Sequence, residues 1–258
     1  MNRQSSNSCT PLPFTWAGLL AGARACLPIA IGVGVYGVLF GLLARQKGLS
    51  LGAALSMSSF VFAGASQLIA MDLWGPELPV FSLIVTTFIV NLRHVLMGAA
   101  LSPWLTRLTP GKAFGSLFFM TDESWAVTLG IYARDARERA RSDGAVLLGS
   151  GLMVYLCWNL STVLGHALVQ GLDDPARYGL DFAFTAVFTA LLVGLKPRRA
   201  DVLPLVAATG AALLGARLLP GKWYILVGAF AGGLAAALSP APEHSEPAKP
   251  ADCEEAKP

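Results

Sequence analysis

The chain has 258 residues, of which 54% are hydrophobic and only 14% charged, with a formal net charge of +3. A soluble domain carries about 25% charged residues, so this balance, together with a mean hydropathy of +0.58, puts the membrane class ahead of any domain count. The basic residues sit in short loops between apolar runs, a membrane-topology signal that excludes a nucleic-acid footprint.

The first residues, MNRQSSNSCTPLPFT, are polar with one arginine, and residues 1–13 are expected to be flexible. The hydrophobic stretch that follows is too long for a signal-peptide core and is expected to be kept. Residues 14–23 read as an interfacial lead-in helix with Trp16 at the headgroup level. Residues 25–44, 48–71, 145–172 and 223–242 contain no Asp, Glu, Lys or Arg, and each reaches the ~20 residues that cross a hydrocarbon core about 30 Å thick. Spanning segments must satisfy their own backbone as helices or closed barrels; alternating ten-residue strands are absent, so helices follow. The expected fold is an all-α polytopic membrane protein with seven or eight transmembrane helices in one domain, residues 14–239. The candidate spans are 24–44, 51–73, 78–101, 113–133, 145–171, 178–195, 201–219 and 222–239. The Pro-, Glu- and Ala-rich tail, 240–258, is expected to be disordered.

With eight spans, ten Lys and Arg residues fall on one side and seven on the other, and the block ARDARERARSDG lies on the richer side. Both termini are therefore expected in the cytoplasm. One faint repeat, GLLARQKGLS (41–50) against GHALVQGLDD (165–174), is offset by about 124 residues and suggests two structural halves. Cys9, Cys26, Cys157 and Cys253 form no CxxC pair, so neither a disulfide framework nor a metal site is expected.

In 51–73, Ser56, Ser59, Ala63, Ser66, Gln67 and Ala70 form a small or polar stripe. Tight helix packing is one reading. A ligand role is the other, because the buried amide of Gln67 must be satisfied and Gly64 could free local backbone. In 78–101, Thr87, Asn91, His94 and Gly98 share one stripe, and Arg93 lies on a different face. A charge at mid-membrane costs at least ~2.5–3.5 kcal/mol on insertion scales, so Arg93 should face a protein interior or water cavity with an acidic partner. The candidate acids are Asp122 and Glu123, in FFMTDESWAV. Thr121 to Ser124 span about 300° of a helical wheel, so this segment is either broken or re-entrant around 119–125, or wholly inside the bundle, or does not span at all. In 145–171, Tyr155, Asn159, Thr162 and His166 read as interhelical hydrogen-bonding groups. In 178–195, Asp181, Thr185 and Thr189 share a stripe, and Asp181 either caps the helix or faces a cavity. Gly37 and Gly41, and Gly228 and Gly232, form GxxxG pairs, while Pro28 and Pro204 are candidate kinks.

HExxH, a P-loop and a GxGxxG after a strand are all missing, so hydrolytic-metal, ATP-driven and dinucleotide chemistry find no motif. No cofactor is implied. Four segments, FVFAGASQLIA (60–70), TTFIVNLRHVLMGAAL (86–101), MTDESWAV (120–127) and GLDFAFTAVFTALL (179–192), resemble the AzlC-type, or YgaZ-like, branched-chain amino acid permeases. Their order and spacing cover about 28–195; SWAV and HVLMGAAL differ in detail from the commoner family wording. The resemblance implies an inner-membrane exporter of branched-chain amino acids such as valine, leucine and isoleucine, with methionine a further candidate, driven by an ion or proton gradient. It also implies an AzlD-like small membrane partner of about four spans. A zwitterionic substrate would need Arg93 for its carboxylate and Asp122 or Glu123 for its ammonium. Gln67, Asn91, Ser66, Gly64 and Asp181 would add polar contacts, and Phe60, Phe62 and Phe184 an apolar side. Histidine changes charge near neutral pH, so His94 is the candidate proton carrier. Against this, Arg93 and Asp122 could simply lock each other. Two rival classes stand beside the carrier: an ion or small-solute channel, and an intramembrane enzyme using Asp122 and His94.

Overall fold

The computed structural model describes residues 10–75, 80–138, 140–168, 202–219 and 223–238, and all regular structure among them is helical. Helix α1 spans Trp16–Gln46. The separate lead-in helix expected over 14–23 is therefore the start of α1. Thr15 caps it by accepting from the Gly18 N–H at 3.0 Å, and Pro28 is carried inside it. At 1.5 Å per residue, its 31 residues extend about 46 Å, longer than the ~30 Å hydrocarbon layer. Helix α2, Leu51–Ser56, runs into a π-helical turn, Met57–Val61, and α3 follows at Gly64–Leu73. Helices α4 (Val80–Asn91) and α5 (Arg93–Leu105) nearly join. Then come α6 (Pro110–Phe118), α7 (Asp122–Glu138), α8 (Ala145–Leu168), α9 (Val202–Leu218) and α10 (Trp223–Leu238). Three of the described helical stretches, Trp16–Gln46, Leu83–Leu105 and Ala145–Leu168, are long and apolar enough to cross a membrane. The expected span 178–195 lies outside the described residues.

The core is the pair α1 and α8. Both carry glycines where they touch, so backbone meets backbone. A Cβ on Gly22 would lie 2.2 Å from the Val146 carbonyl oxygen, and one on Gly149 would lie 1.9 Å from that of Leu19. Lower down, Gly41 faces the Thr162 carbonyl at 2.1 Å and Gly165 faces that of Val38 at 1.8 Å. The contacts advance in the same order along both helices, so α1 and α8 run parallel. That direction is what an odd number of membrane crossings between them would give. Gly41 and Gly165, separated by the offset of the faint sequence repeat, contact each other's helix reciprocally. The second GxxxG also seats a neighbour: Cβ atoms on Gly228 and Gly232 would lie 2.9 Å from Ala212 and 2.8 Å from Ala208 of α9. Pro204 is carried inside α9 as its third described residue.

Around the pair, hydrogen bonds join helix to helix as the 145–171 stripe suggested. Asn159 accepts from Ser59 Oγ at 2.8 Å, Thr162 Oγ1 lies 2.9 Å from Ser58 Oγ, and His166 Nε2 donates to the Leu49 carbonyl at 3.0 Å. The end of the expected flexible leader is held in place. Arg107 Nε donates to the Thr10 carbonyl at 2.9 Å, Arg141 to that of Pro11 at 2.6 Å, and Leu12 is buried. The Asp143 carboxylate accepts from Thr15 N–H at 3.2 Å and Ala145 N–H at 2.8 Å, so one side chain serves the starts of both α1 and α8.

The glycine contact predicts an asymmetry between two alanine variants. Gly165→Ala forces α1 and α8 apart and should cost about 1–3 kcal/mol by overpacking, seen as a lower Tm of the purified protein in detergent. Gly210→Ala meets nothing within 4 Å and, as alanine favours the helix over glycine by up to about 1 kcal/mol, should hold or raise Tm.

Candidate functional site

The helical run is broken in two places and tightened in a third, and the three places meet. The first lies between the π-helical turn and α3. There Phe62 adopts φ 42°, ψ 44°, the one left-handed non-glycine among the described residues. A bulky residue in that region is strained. Its ring is held edge-on against Tyr155 at 5.0 Å, and Tyr155 in turn packs edge-on against Phe119 at 5.1 Å. The second is a tightening at Leu92, which keeps helical φ −55°, ψ −27° and separates α4 from α5 without ending the helical run Leu83–Leu105. The Val95 N–H reaches the Leu92 carbonyl at 3.1 Å, one residue short of the helical step. The Asn91 carbonyl accepts instead from His94 Nδ1 at 3.2 Å; since a carbonyl only accepts, this nitrogen carries the proton. The third lies between α6 and α7. Thr121 and Ser124 cap each other: Thr121 Oγ1 accepts from Ser124 N–H at 3.3 Å, and Ser124 Oγ accepts from Thr121 N–H at 2.8 Å. This is a capping box with serine in the place of the usual Glu or Gln. The four polar residues are thus a helix start rather than a helix face. Asp122 and Glu123 occupy the first turn of α7, where carboxylates complement the helix dipole.

A cavity of about 150 Å³ lies where the three places converge. Phe62, Ala63 and Gly64 reach it from the first, Arg93 and His94 from the second, and Thr121, Asp122 and Glu123 from the third. Tyr36 of α1 and Val154 and Trp158 of α8 give it an apolar wall. Arg93 Nη1 is paired with the Asp122 carboxylate, and both side chains are about 43% exposed. Glu123 makes no ion pair with a described residue.

The sequence-derived site residues divide into two layers. Gly64, Arg93, His94, Asp122 and Glu123 line the cavity. Ser66, Gln67 and Asn91 do not; they form a polar layer outside its lining. Asn91 Nδ2 donates to Ser66 Oγ at 3.0 Å and to the Thr87 carbonyl at 2.9 Å. Gln67 Nε2 donates to Ser58 Oγ at 3.3 Å. Directions in that chain are set from its end: Thr162 donates to the Trp158 carbonyl at 2.9 Å, so Ser58 donates to Thr162 and must accept from Gln67. Gln67 Oε1 and Asn91 Oδ1 are consequently buried acceptors without a partner. Phe60, expected on the apolar side, is 78% exposed, because the π turn rotates it outwards. The same turn breaks the expected stripe: Ser56 faces out and Ser58 is buried. Asp181, Thr185, Thr189 and Phe184 lie outside the described residues. Tyr36, Val154 and Trp158 were not legible as site residues, because an aromatic or valine in an apolar span reads as ordinary core.

The AzlC family ("AzlC protein") matches residues 28–172. The chain belongs to the AzlC family. Among curated relatives it is 29% identical over 235 residues to the inner membrane protein YgaZ of Escherichia coli, covering 89% of this chain and 94% of that one. It is 34% identical over 165 residues to an uncharacterized membrane protein of Archaeoglobus fulgidus, covering 62% and 68% of the two chains. It is 27% identical over 180 residues to the branched-chain amino acid transport protein AzlC of Bacillus subtilis, covering 69% and 68%. No solved structure matches. This AzlC-family chain is a helical membrane protein, and the family match begins at Pro28 within α1 and takes in both breaks and the turn at Leu92.

The direction of the Gln67 network can be tested. Ser58→Ala strands a second buried polar group, the Gln67 amide nitrogen, and should cost about 1–3 kcal/mol. Gln67→Met removes the amide and its orphaned oxygen while keeping the shape, and should cost less. Thermal unfolding of the two variants in the same detergent gives the order.

Proposed function

We propose that this protein is a gradient-driven exporter of branched-chain amino acids in a bacterial cytoplasmic membrane. It would move valine, leucine, isoleucine and methionine, with both termini in the cytoplasm and a small AzlD-like partner of about four spans. The reading is supported by its family, which includes a relative named for branched-chain amino acid transport. The observation that carries it is the convergence of two helix breaks and the irregular turn at Leu92 on a cavity lined both by opposite charges and by apolar side chains. Discontinuous helices at membrane depth are where transporters bind cargo, since irregular backbone is tolerated there only in protein or around water. At about 150 Å³ the cavity falls below the ~300 Å³ at which pockets for drug-sized ligands begin, a size for a small solute.

A zwitterion placed there meets groups of the right sign. Its carboxylate takes the Arg93 guanidinium, whose planar fork suits a carboxylate, displacing Asp122. Its ammonium then meets Asp122 and Glu123, and its side chain rests against Trp158 and Val154. His94 Nδ1 is held by the Asn91 carbonyl, which leaves Nε2 as the position for a coupling proton. Gln67, Asn91 and Ser66 support the ends of α3 and α4 from outside the cavity.

The test is valine export from dipeptide-loaded cells, together with counterflow in vesicles. A carrier shows stimulation by unlabelled valine on the opposite side, and a pore does not. Arg93→Lys and Asp122→Asn, each confirmed in the membrane at wild-type amount, should lower export about tenfold or more, as expected for loss of a charge-assisted hydrogen bond. Wild-type export by both variants would overturn the site assignment.

A further inference from the structure

We infer that the contact between Gly64 and Trp158 sets the depth of the cavity's apolar end, and so selects which side chain the protein accepts. The inference rests on the carrier reading above and adds a residue, Trp158, that the family resemblance does not assign.

The Trp158 indole packs against both Phe40 and Gly64. It is 4% exposed, and it stacks on Phe40 with centroids 6.2 Å apart and planes 22° from parallel. Phe40 is itself fully buried, so the indole cannot retreat in that direction. The benzo edge of the ring lies against the α-carbon of Gly64. A Cβ built there would lie 2.9 Å from Cη2, 3.3 Å from Cζ3 and 3.4 Å from Cζ2 of the indole. The first distance is too short for any real contact, so a side chain at position 64 must push the ring. Phe40 is buried against the ring and does not line the cavity, so the open space available to the ring is the cavity that Gly64 and Trp158 both line.

The groups around this contact are apolar. Leu68 lies one turn after Gly64 on α3, and Val154 one turn before Trp158 on α8; each therefore shares a face with its partner, and both line the cavity. The charged groups come from the turn at Leu92 and the start of α7. A zwitterion anchored by Arg93 and Glu123 would thus direct its side chain towards Trp158. Glycine at position 64 is what lets the indole lie flat against the wall and keeps that end open. One added methyl group narrows it, and a smaller ring at 158 widens it.

The experiment compares isoleucine with valine, which share their charged groups and differ by one methylene. Export of each is measured in the wild type, Gly64→Ala and Trp158→Phe, and the isoleucine-to-valine ratio is formed within each strain, so that membrane amount cancels. Trp158→Phe also removes the indole N–H, but that change would alter both substrates alike and leave the ratio unmoved. We expect Gly64→Ala to lower the ratio by about tenfold, the lower end of what one methylene decides in a hydrophobic pocket, and Trp158→Phe to raise it. If Gly64→Ala does not reach the membrane, the rise in Trp158→Phe carries the test by itself. A wild-type ratio in Trp158→Phe, with both substrates exported, overturns this inference and leaves the carrier intact. Failure of the wild type to export either amino acid overturns both.

Discussion

A hydrocarbon layer gives no partner to a free peptide group, and this chain leaves the regular helix at three places all the same. Each is affordable because something local meets its loose ends. The Asn91 carbonyl takes the His94 ring, Thr121 and Ser124 cap one another, and the strained Phe62 is held by Tyr155. Tyr155 also touches Phe119, so the first and third breaks share one aromatic support on α8. The cavity is the geometric result: where two helices stop beside the tightened turn at Leu92, side chains cannot fill the space as continuous helices would.

Charge follows from the same arrangement. A lone guanidinium at membrane depth would cost several kcal/mol, and the break before α7 supplies Asp122 to meet it. Both groups remain partly open to the cavity, so their mutual attraction is screened and worth little as a fastening, about 1 kcal/mol or less. That weakness suits the carrier role proposed above, in which the pair would open for cargo. The layer outside, from Gln67 to Thr162 and from Asn91 to Ser66, is different: its members are neutral, mostly buried and fixed in direction by the carbonyls at their ends.

Several of these features were readable from residue types alone. An arginine inside an apolar span demands an acid, and the sequence holds few; Asp122 is the partner found. Four successive polar residues cannot share one helix face, and the chain does break there. Small residues spaced four apart on α1 and α10 do bring helices together. The break at Phe62 was not readable, because FVFAGAS contains neither proline nor any residue that prefers a left-handed backbone except glycine, and that glycine is two places on. Tertiary packing on Tyr155 overrides local preference. The π turn before it fits more residues into each turn and so lowers the rotation per residue, which shifts the phase of the stripe, and Ser58 is buried while Ser56 is not. Trp158 and Tyr36 were illegible for a plainer reason: nothing in an apolar run distinguishes a ring that faces a cavity from one that faces a neighbour.

The parallel pair α1 and α8 meets through glycines, with carbonyl oxygens lying where side chains would otherwise stand. Such a seam has no lubricating layer of rotamers, so neither helix can slide or tilt against the other without steric collision. Under the carrier reading proposed above, the pair would serve as a stator, and alternation of access would come from the interrupted helices moving against it.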